Sequence, residues 1–134
     1  MTAYRCDHIH LKAENVQATV RWYCDCLGGR VIFEGQFRGS SVFYVDIGGT
    51  TFIIFGRLAN EPDPIEASLR TRYGVDHFGF EVADLDQAVA ELRTKGVPIV
   101  EEPTTTRPGL RIAYIEGPDK ARIELSQRDR SPIA

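Results

Sequence analysis

Two stretches of the chain carry the same order of apolar and polar positions. Asp7-His8-Ile9-His10-Leu11 alternates as a half-buried strand does, and Asp76-His77-Phe78-Gly79-Phe80 repeats the pattern in the second half. Each strand leads into a polar segment and then an apolar stripe at helical spacing: Val16, Val20, Tyr23 and Leu27 in the first copy, Leu85, Val89 and Leu92 in the second. Asn15 and Asp84 stand where an N-cap is needed, since their side-chain oxygens can accept from the first free amides. Gly28-Gly29 and Gly96 end the two helices. Three strand-like runs follow each helix: 30–37, 42–47 and 51–55, then 99–102, 111–116 and 121–126. Glycine and proline pairs separate them. The pattern therefore predicts an α+β fold built from a βαβββ module used twice, at about residues 4–56 and 75–127. Residues 57–74, with Pro62-Asp63-Pro64 at their centre, read as a linker with room for one short helical turn. Neither half is large enough to bury both faces of its own sheet, so 1–134 is expected to be a single domain.

Composition narrows the function classes. The chain has 134 residues, 43% of them hydrophobic and 26% charged, which is a globular balance and argues against disorder. Its net charge is −3, and no stripe of Lys and Arg offers a face to a phosphate backbone, so no nucleic-acid partner is expected. The longest purely apolar run is Phe52-Ile53-Ile54-Phe55, far short of the roughly 20 residues a spanning helix needs, so no membrane partner is expected. Residues 1–5 lack the apolar region of a signal peptide. Cys6, Cys24 and Cys26 are an odd number without metal-knuckle spacing, which suits free thiols in a reducing cytoplasm. The expected partner is a small-molecule substrate.

Overlaying the two halves puts His8 against His77. Near the last strand of each module, the Ile53-Ile54-Phe55 and Ile123-Glu124-Leu125 triplets put Ile54 against Glu124; a slip of one position would put Phe55 there. Neither residue can coordinate. A duplicated frame thus offers four related positions, three of which carry metal-binding side chains. Two imidazoles and one carboxylate make the facial triad of non-haem iron(II), and manganese or zinc can occupy the same set. The competing readings are structural: Glu124 facing water between core residues Ile123 and Leu125, and His8 a hydrogen-bonded structural histidine. The symmetric placement of the histidines within the repeat favours the metal.

These same residues carry a family resemblance. The Asp7–Leu11 strand, the Val20-Arg21-Trp22-Tyr23 helix with Leu27-Gly28-Gly29, the Asp76–Phe80 strand and Gly117-Pro118-Asp119 followed by Ile123-Glu124-Leu125 resemble the glyoxalase, bleomycin-resistance and extradiol-dioxygenase superfamily, the vicinal-oxygen-chelate proteins. The resemblance runs from about Cys6 to Gln127. It implies paired modules forming an eight-stranded cup around a metal held by His8, His77 and Glu124. It also implies a homodimer, sometimes with the site built from two chains. The metal it implies is iron(II) first, with manganese, zinc, nickel or cobalt as alternatives. Glyoxalase-like and epimerase-like members use four protein ligands. Three ligands leave room for a bidentate substrate and dioxygen, which matches extradiol dioxygenases. They also match fosfomycin-modifying thiol transferases, although His10 here replaces an expected Thr and no basic residue beyond Glu124 corresponds.

The leading expectation is thus an extradiol-type dioxygenase. His10, on the strand face of His8, would move protons, and Tyr114 would hydrogen-bond a bound oxyanion. A structural role is the alternative for each. A lyase or isomerase of glyoxalase or epimerase type is the rival reaction, and a non-catalytic ligand- or drug-binding protein the rival class. Glu34, Asp46 and Glu81 as bases, Arg70 and Arg72 as carboxylate clamps, and residues 103–109 as a lid are weaker candidates, with solvated faces, solvated linker charges and a plain hairpin connection as their default readings. Cys24 and Cys26 read as packing.

Overall fold

The computed structural model describes residues 1–130. The chain divides into two compact units, Met1–Glu66 and Ala67–Ala134, with the boundary inside the segment read as a linker. The first unit runs β1 (Ile9–Lys12), α1 (Val16–Leu27), β2 (Arg30–Phe37), β3 (Ser40–Ile47) and β4 (Thr50–Phe55). The second runs β5 (Phe78–Glu81), α2 (Leu85–Thr94), β6 (Ile99–Arg107), β7 (Leu110–Gly117) and β8 (Ala121–Arg128), with a single 3-10 turn at Pro118–Lys120. Each unit holds one four-stranded sheet, in the order β1-β4-β3-β2 or β5-β8-β7-β6. The first strand pairs parallel with the last, and the other pairings are antiparallel. This is the α+β, βαβββ-twice architecture that the apolar pattern predicts.

The helix signals act as their chemistry requires. The Asn15 carboxamide oxygen accepts from the Ala18 amide at 3.0 Å, and the Asp84 carboxylate accepts from the Gln87 amide at 3.0 Å. Gly28 closes α1 in the left-handed region at φ 69°, which a residue with a Cβ adopts only at a cost. Each helix then packs its apolar stripe on one face of its own sheet. Thr19, Val20 and Tyr23 are buried with Val45, Ile47, Phe52 and Ile54 in the first unit; Leu85, Val89 and Leu92 are buried with Ala113, Ile115, Ile123 and Leu125 in the second. The opposite face of each sheet is left to the side chains that alternate with these.

Two local readings are corrected. The strand expected at 99–102 continues through residues 103–107 as the second half of β6, and only Pro108-Gly109 remain as the hairpin connection to β7. Pro103 is tolerated because β6 is an edge strand, and the register with β7 shifts between Glu101 and Thr104. Residues 57–74 contain no helix. Their first part is fixed by polar contacts: Lys12 Nζ donates to Glu61 at 2.8 Å and to the Gly56 carbonyl at 3.2 Å, while the Leu58 amide donates to Glu61. No helix among the described residues is long and apolar enough to cross a membrane.

The register also corrects the overlay of the two halves. Ile9, directly after His8, pairs with Phe52, and Phe78, directly after His77, pairs with Ile123. Phe52 thus corresponds to Ile123, Ile53 to Glu124, and Ile54 to Leu125. Burial agrees, since Ile54 and Leu125 both lie in the core, 0% and 2% exposed. The counterpart of Glu124 is Ile53, not Ile54. An Ile-Ile pair conceals the register, because either residue satisfies the apolar pattern.

Candidate metal centre

The second unit brings His77, Glu124 and Tyr114 together. Tyr114 on β7 is directly opposite Glu124 on β8, which places both side chains on the open face of the sheet. The Tyr114 hydroxyl donates to Glu124 Oε2 at 2.8 Å, and His77 Nε2 lies 3.0 Å from the same oxygen. The His77 ring stands edge-on to the Tyr114 ring, with centroids 5.1 Å apart. Desolvation first, then the hydrogen bond to Glu124, pushes the Tyr114 pKa up to about 12. The phenol therefore stays protonated and serves as a donor to the carboxylate. Gly79, beside Glu124 in the parallel β5–β8 pairing, leaves room for it: a Cβ there would lie 3.4 Å from the Glu124 Cβ and 3.3 Å from its carbonyl oxygen.

The other His77 ring nitrogen is also engaged. Nδ1 lies 2.8 Å from Asp76 Oδ2. Asp76 is held in turn by Arg122, whose guanidinium donates to the same oxygen at 3.1 Å, and by the Arg72 amide, which donates to Oδ1 at 3.0 Å. The hydrogen bond from His77 is the main reason the Asp76 carboxyl titrates below its ordinary range. Arg122 stacks over the Tyr114 ring, 4.0 Å from its centroid.

His8 belongs to the first unit, where its Nδ1 lies 2.8 Å from Asp7 Oδ2, the same local pairing as in the second copy. Here the carboxylate is open to solvent: the Asp7 side chain is 87% exposed, against 28% for Asp76. His10 stacks on Phe55 with ring centroids 4.0 Å apart. Desolvation and then the charge on Lys12 lower its pKa, which favours the neutral imidazole. Beside it on the open face, Phe33, Gln36, Phe37, Val42, Tyr44, Ile53 and Phe55 line a cleft of about 300 Å³. Tyr44 pairs with Ile53 as Tyr114 pairs with Glu124, so it is the first unit's counterpart of Tyr114.

Among the described residues, no three or more His, Cys, Asp or Glu side chains form a ready metal-holding cluster. The partial set in the second unit does fit one. Two donor atoms about 2.0–2.2 Å from an octahedral ion and at right angles to each other are about 3 Å apart. That is the observed separation of His77 Nε2 and Glu124 Oε2, 3.0 Å. The weaker candidates have other surroundings. Asp46 lies 3.9 Å from Arg30, and the Arg72 side chain donates to the Ser68 carbonyl at 2.5 Å. Among the described residues, none of Cys6, Cys24 and Cys26 is in a disulfide.

The pattern of the Glyoxalase/Bleomycin resistance protein/Dioxygenase superfamily matches residues 5–125, and the chain belongs to that family. It is 32% identical to the uncharacterized protein YwkD of Bacillus subtilis, covering 90% of this chain and 94% of that one. It is 27% identical to a probable chloroplastic lactoylglutathione lyase of Arabidopsis thaliana, across 93% of this chain but only 36% of that protein. Among solved structures, the fosfomycin resistance protein FosX of Listeria monocytogenes, in complex with Mn(II) and sulfate, shares the fold at 16% identity and a TM-score of 0.71, covering 96% of each chain.

Sequence reasoning missed Asp76, Arg122, Tyr44 and the aromatic cleft. Two signals were available. An aspartate precedes the histidine in both copies, and Arg122 lies two residues from Glu124, hence on the same strand face.

Proposed function

We propose that His77 and Glu124, with His8 as third ligand, hold one divalent metal, and that the chain is an enzyme acting on a small oxygenated substrate chelated there. The observation that carries this reading is the 3.0 Å approach of His77 Nε2 to Glu124 Oε2, with each side chain braced from behind, by Asp76 and by Tyr114. FosX, a family relative by fold, is described with Mn(II). When bound, the metal supplies Lewis acidity that polarises a chelated oxygen.

The chain's own groups then favour proton transfer. His10, kept neutral by desolvation, would take a proton from a carbon or oxygen next to the chelated group. Tyr114 would hold Glu124 in its coordinating orientation through the 2.8 Å hydrogen bond. The cleft formed by Phe33, Phe37, Ile53 and Phe55 would receive an apolar or aromatic part of the substrate and exclude water from it. This describes a lyase or isomerase, the class to which the name of the Arabidopsis relative also points.

One observation favours a second reading, the extradiol-type dioxygenase. Ile53, the register counterpart of Glu124, cannot coordinate, so a centre with three protein ligands would leave places for a bidentate substrate and dioxygen. Oxygen uptake separates the two. Iron(II)-loaded protein with a panel of catechols consumes oxygen in the second case. Without uptake, but with turnover of 2-oxoaldehyde–thiol adducts on manganese, zinc, nickel or cobalt, the lyase or isomerase reading stands. A chain that binds no metal and retains ligand binding in His77→Ala is a binding protein on the same fold.

A further inference from the structure

Five side chains of the second unit close into a ring. Arg122 donates to Asp76 at 3.1 Å, Asp76 meets His77 Nδ1 at 2.8 Å, and His77 Nε2 meets Glu124 at 3.0 Å. Glu124 accepts from Tyr114 at 2.8 Å, and the Tyr114 ring lies beneath the Arg122 guanidinium at 4.0 Å. Arg122 touches both ends of the chain of contacts and lies well inside the protein surface, its side chain 17% exposed. The first unit lacks this ring. The register makes Thr51 the counterpart of Arg122 and Ile53 the counterpart of Glu124, so Asp7 has no cation in the corresponding place.

We infer that Arg122 and Asp76 are positioning residues for the proposed metal centre, and that they make His77 the preorganised ligand and His8 the loose one. The inference rests on the metal reading above and assigns roles to residues that do not themselves coordinate. A carboxylate on Nδ1 fixes the ring plane and leaves Nε2 to the metal. A planar guanidinium can do what an ammonium cannot: donate in its plane to Asp76 while its face rests on Tyr114. The ring thereby couples the orientation of the two ligands His77 and Glu124.

Simple electrostatics gives the opposite sign from positioning, which makes the test sharp. If Arg122 acted only as a nearby positive charge, removing it would tighten the binding of a dication. If it positions, removing it weakens binding, by about 10- to 100-fold for supporting partners of this kind. The experiment titrates the full-length protein and its Arg122→Met, Arg122→Lys, Asp76→Ala, Asp76→Asn and Asp7→Ala variants with zinc against a chromophoric chelator. Arg122→Met and Asp76→Ala are expected to lose affinity in that range, Asp76→Asn to recover part of it, and Asp7→Ala to lose least. Unchanged or tighter zinc binding in Arg122→Met overturns the inference, as does an equal loss in Asp7→Ala and Asp76→Ala.

A second readout does not need metal. In the metal-free protein, the His77 Nδ1 proton is expected as a downfield, exchange-protected resonance in nitrogen-edited spectra, lost in Asp76→Ala and broadened in Arg122→Met. An Arg122→Met spectrum identical to wild type overturns the positioning role even if zinc affinity falls. Arg122→Lys, which keeps the charge, is expected to fold and still broaden this resonance. If the wild type binds no zinc, the metal reading fails. The positioning of a metal ligand falls with it, whereas a persisting resonance identifies the ring as a structural device.

Discussion

At equivalent register positions the first unit carries His10, Tyr44, Thr51 and Ile53, and the second carries Gly79, Tyr114, Arg122 and Glu124. The strand order, the pairing senses, the capped helix and the Asp-His pair are common to both. The chemistry of the open face is not. In the first unit an imidazole stacks on Phe55 beside an aromatic cleft. In the second, Gly79 lies against the Glu124 backbone and Cβ, and the Glu124 carboxylate is tied into a polar ring. A duplicated frame has thus kept its buried face and diverged on its open face. The reason is physical: the helix-facing side must stay apolar and tightly filled, whereas exchanges on the open side cost little stability. Under the proposed reading, the first unit would supply an apolar wall and a base, and the second the braced pair His77 and Glu124 as metal ligands.

The strongest way to break this comparison is to remove Glu124, the proposed ligand with no counterpart in the first unit. Glu124→Ala is expected to abolish zinc or manganese binding, a loss beyond the roughly 100-fold upper end for supporting residues. Ile53→Ala is expected to leave metal affinity unchanged while weakening the binding of apolar substrates. Isothermal titration of both variants decides the matter; an equal effect of the two would erase the asymmetry.

The next largest effect tests the register within one strand. Ile54→Ala should cost about 2–5 kcal/mol of stability, because it opens a cavity under α1 where Ile54 is fully buried. Ile53→Ala, on the open face, should cost under about 1.5 kcal/mol, since little packed volume is lost there. Denaturant unfolding of the pair checks it, and a reversed order would contradict the corrected overlay.

These two residues also show what the sequence could and could not convey. The elements were legible because apolar periodicity, Asn15, Asp84 and the glycine turns all pointed the same way. The edge of β6 was not, because Pro103 reads as a break until the strand is known to lie at the sheet edge with a shifted register. Of the site residues the sequence suggests, His77, Glu124 and Tyr114 meet within the second unit, and His10 lies on the open face of the first beside the cleft. Only hydrogen-bond register distinguishes two adjacent isoleucines, so the sequence alone leaves the counterpart of Glu124 open between Ile53 and Ile54. Asp76 and Arg122 lie 46 residues apart in sequence, so their contact becomes visible only once β5 and β8 are paired.

Two smaller effects sharpen the contrast. Both N-caps should matter equally, since they belong to the shared frame: Asn15→Ala and Asp84→Ala are each expected to cost about 1 kcal/mol in thermal unfolding. A markedly unequal cost would show that the units differ in frame as well as in face. The smallest effect concerns Glu61, tied to Lys12 in the first unit alone. Hydrogen bonding from Lys12 holds the Glu61 carboxyl below its ordinary value of 4.5. A depressed carboxyl contributes stability that is present above the unfolded value and lost as pH falls through the folded one. Glu61→Gln should therefore melt slightly below wild type at neutral pH, with the difference closing as pH drops below about 4.5. A difference that grows on acidification would reverse the sign and reject this contact as a stabilising one.

The central claim is that this chain holds a divalent metal through His8, His77 and Glu124, and the most direct test is metal content. Protein purified without oxygen, then reconstituted with iron(II), manganese or zinc, is measured beside His8→Ala, His77→Ala and Glu124→Ala. The expected result is about one metal per chain in the wild type and loss in all three variants, smallest for His8→Ala. A wild type that binds no metal, or a Glu124→Ala variant that retains it, would contradict the account.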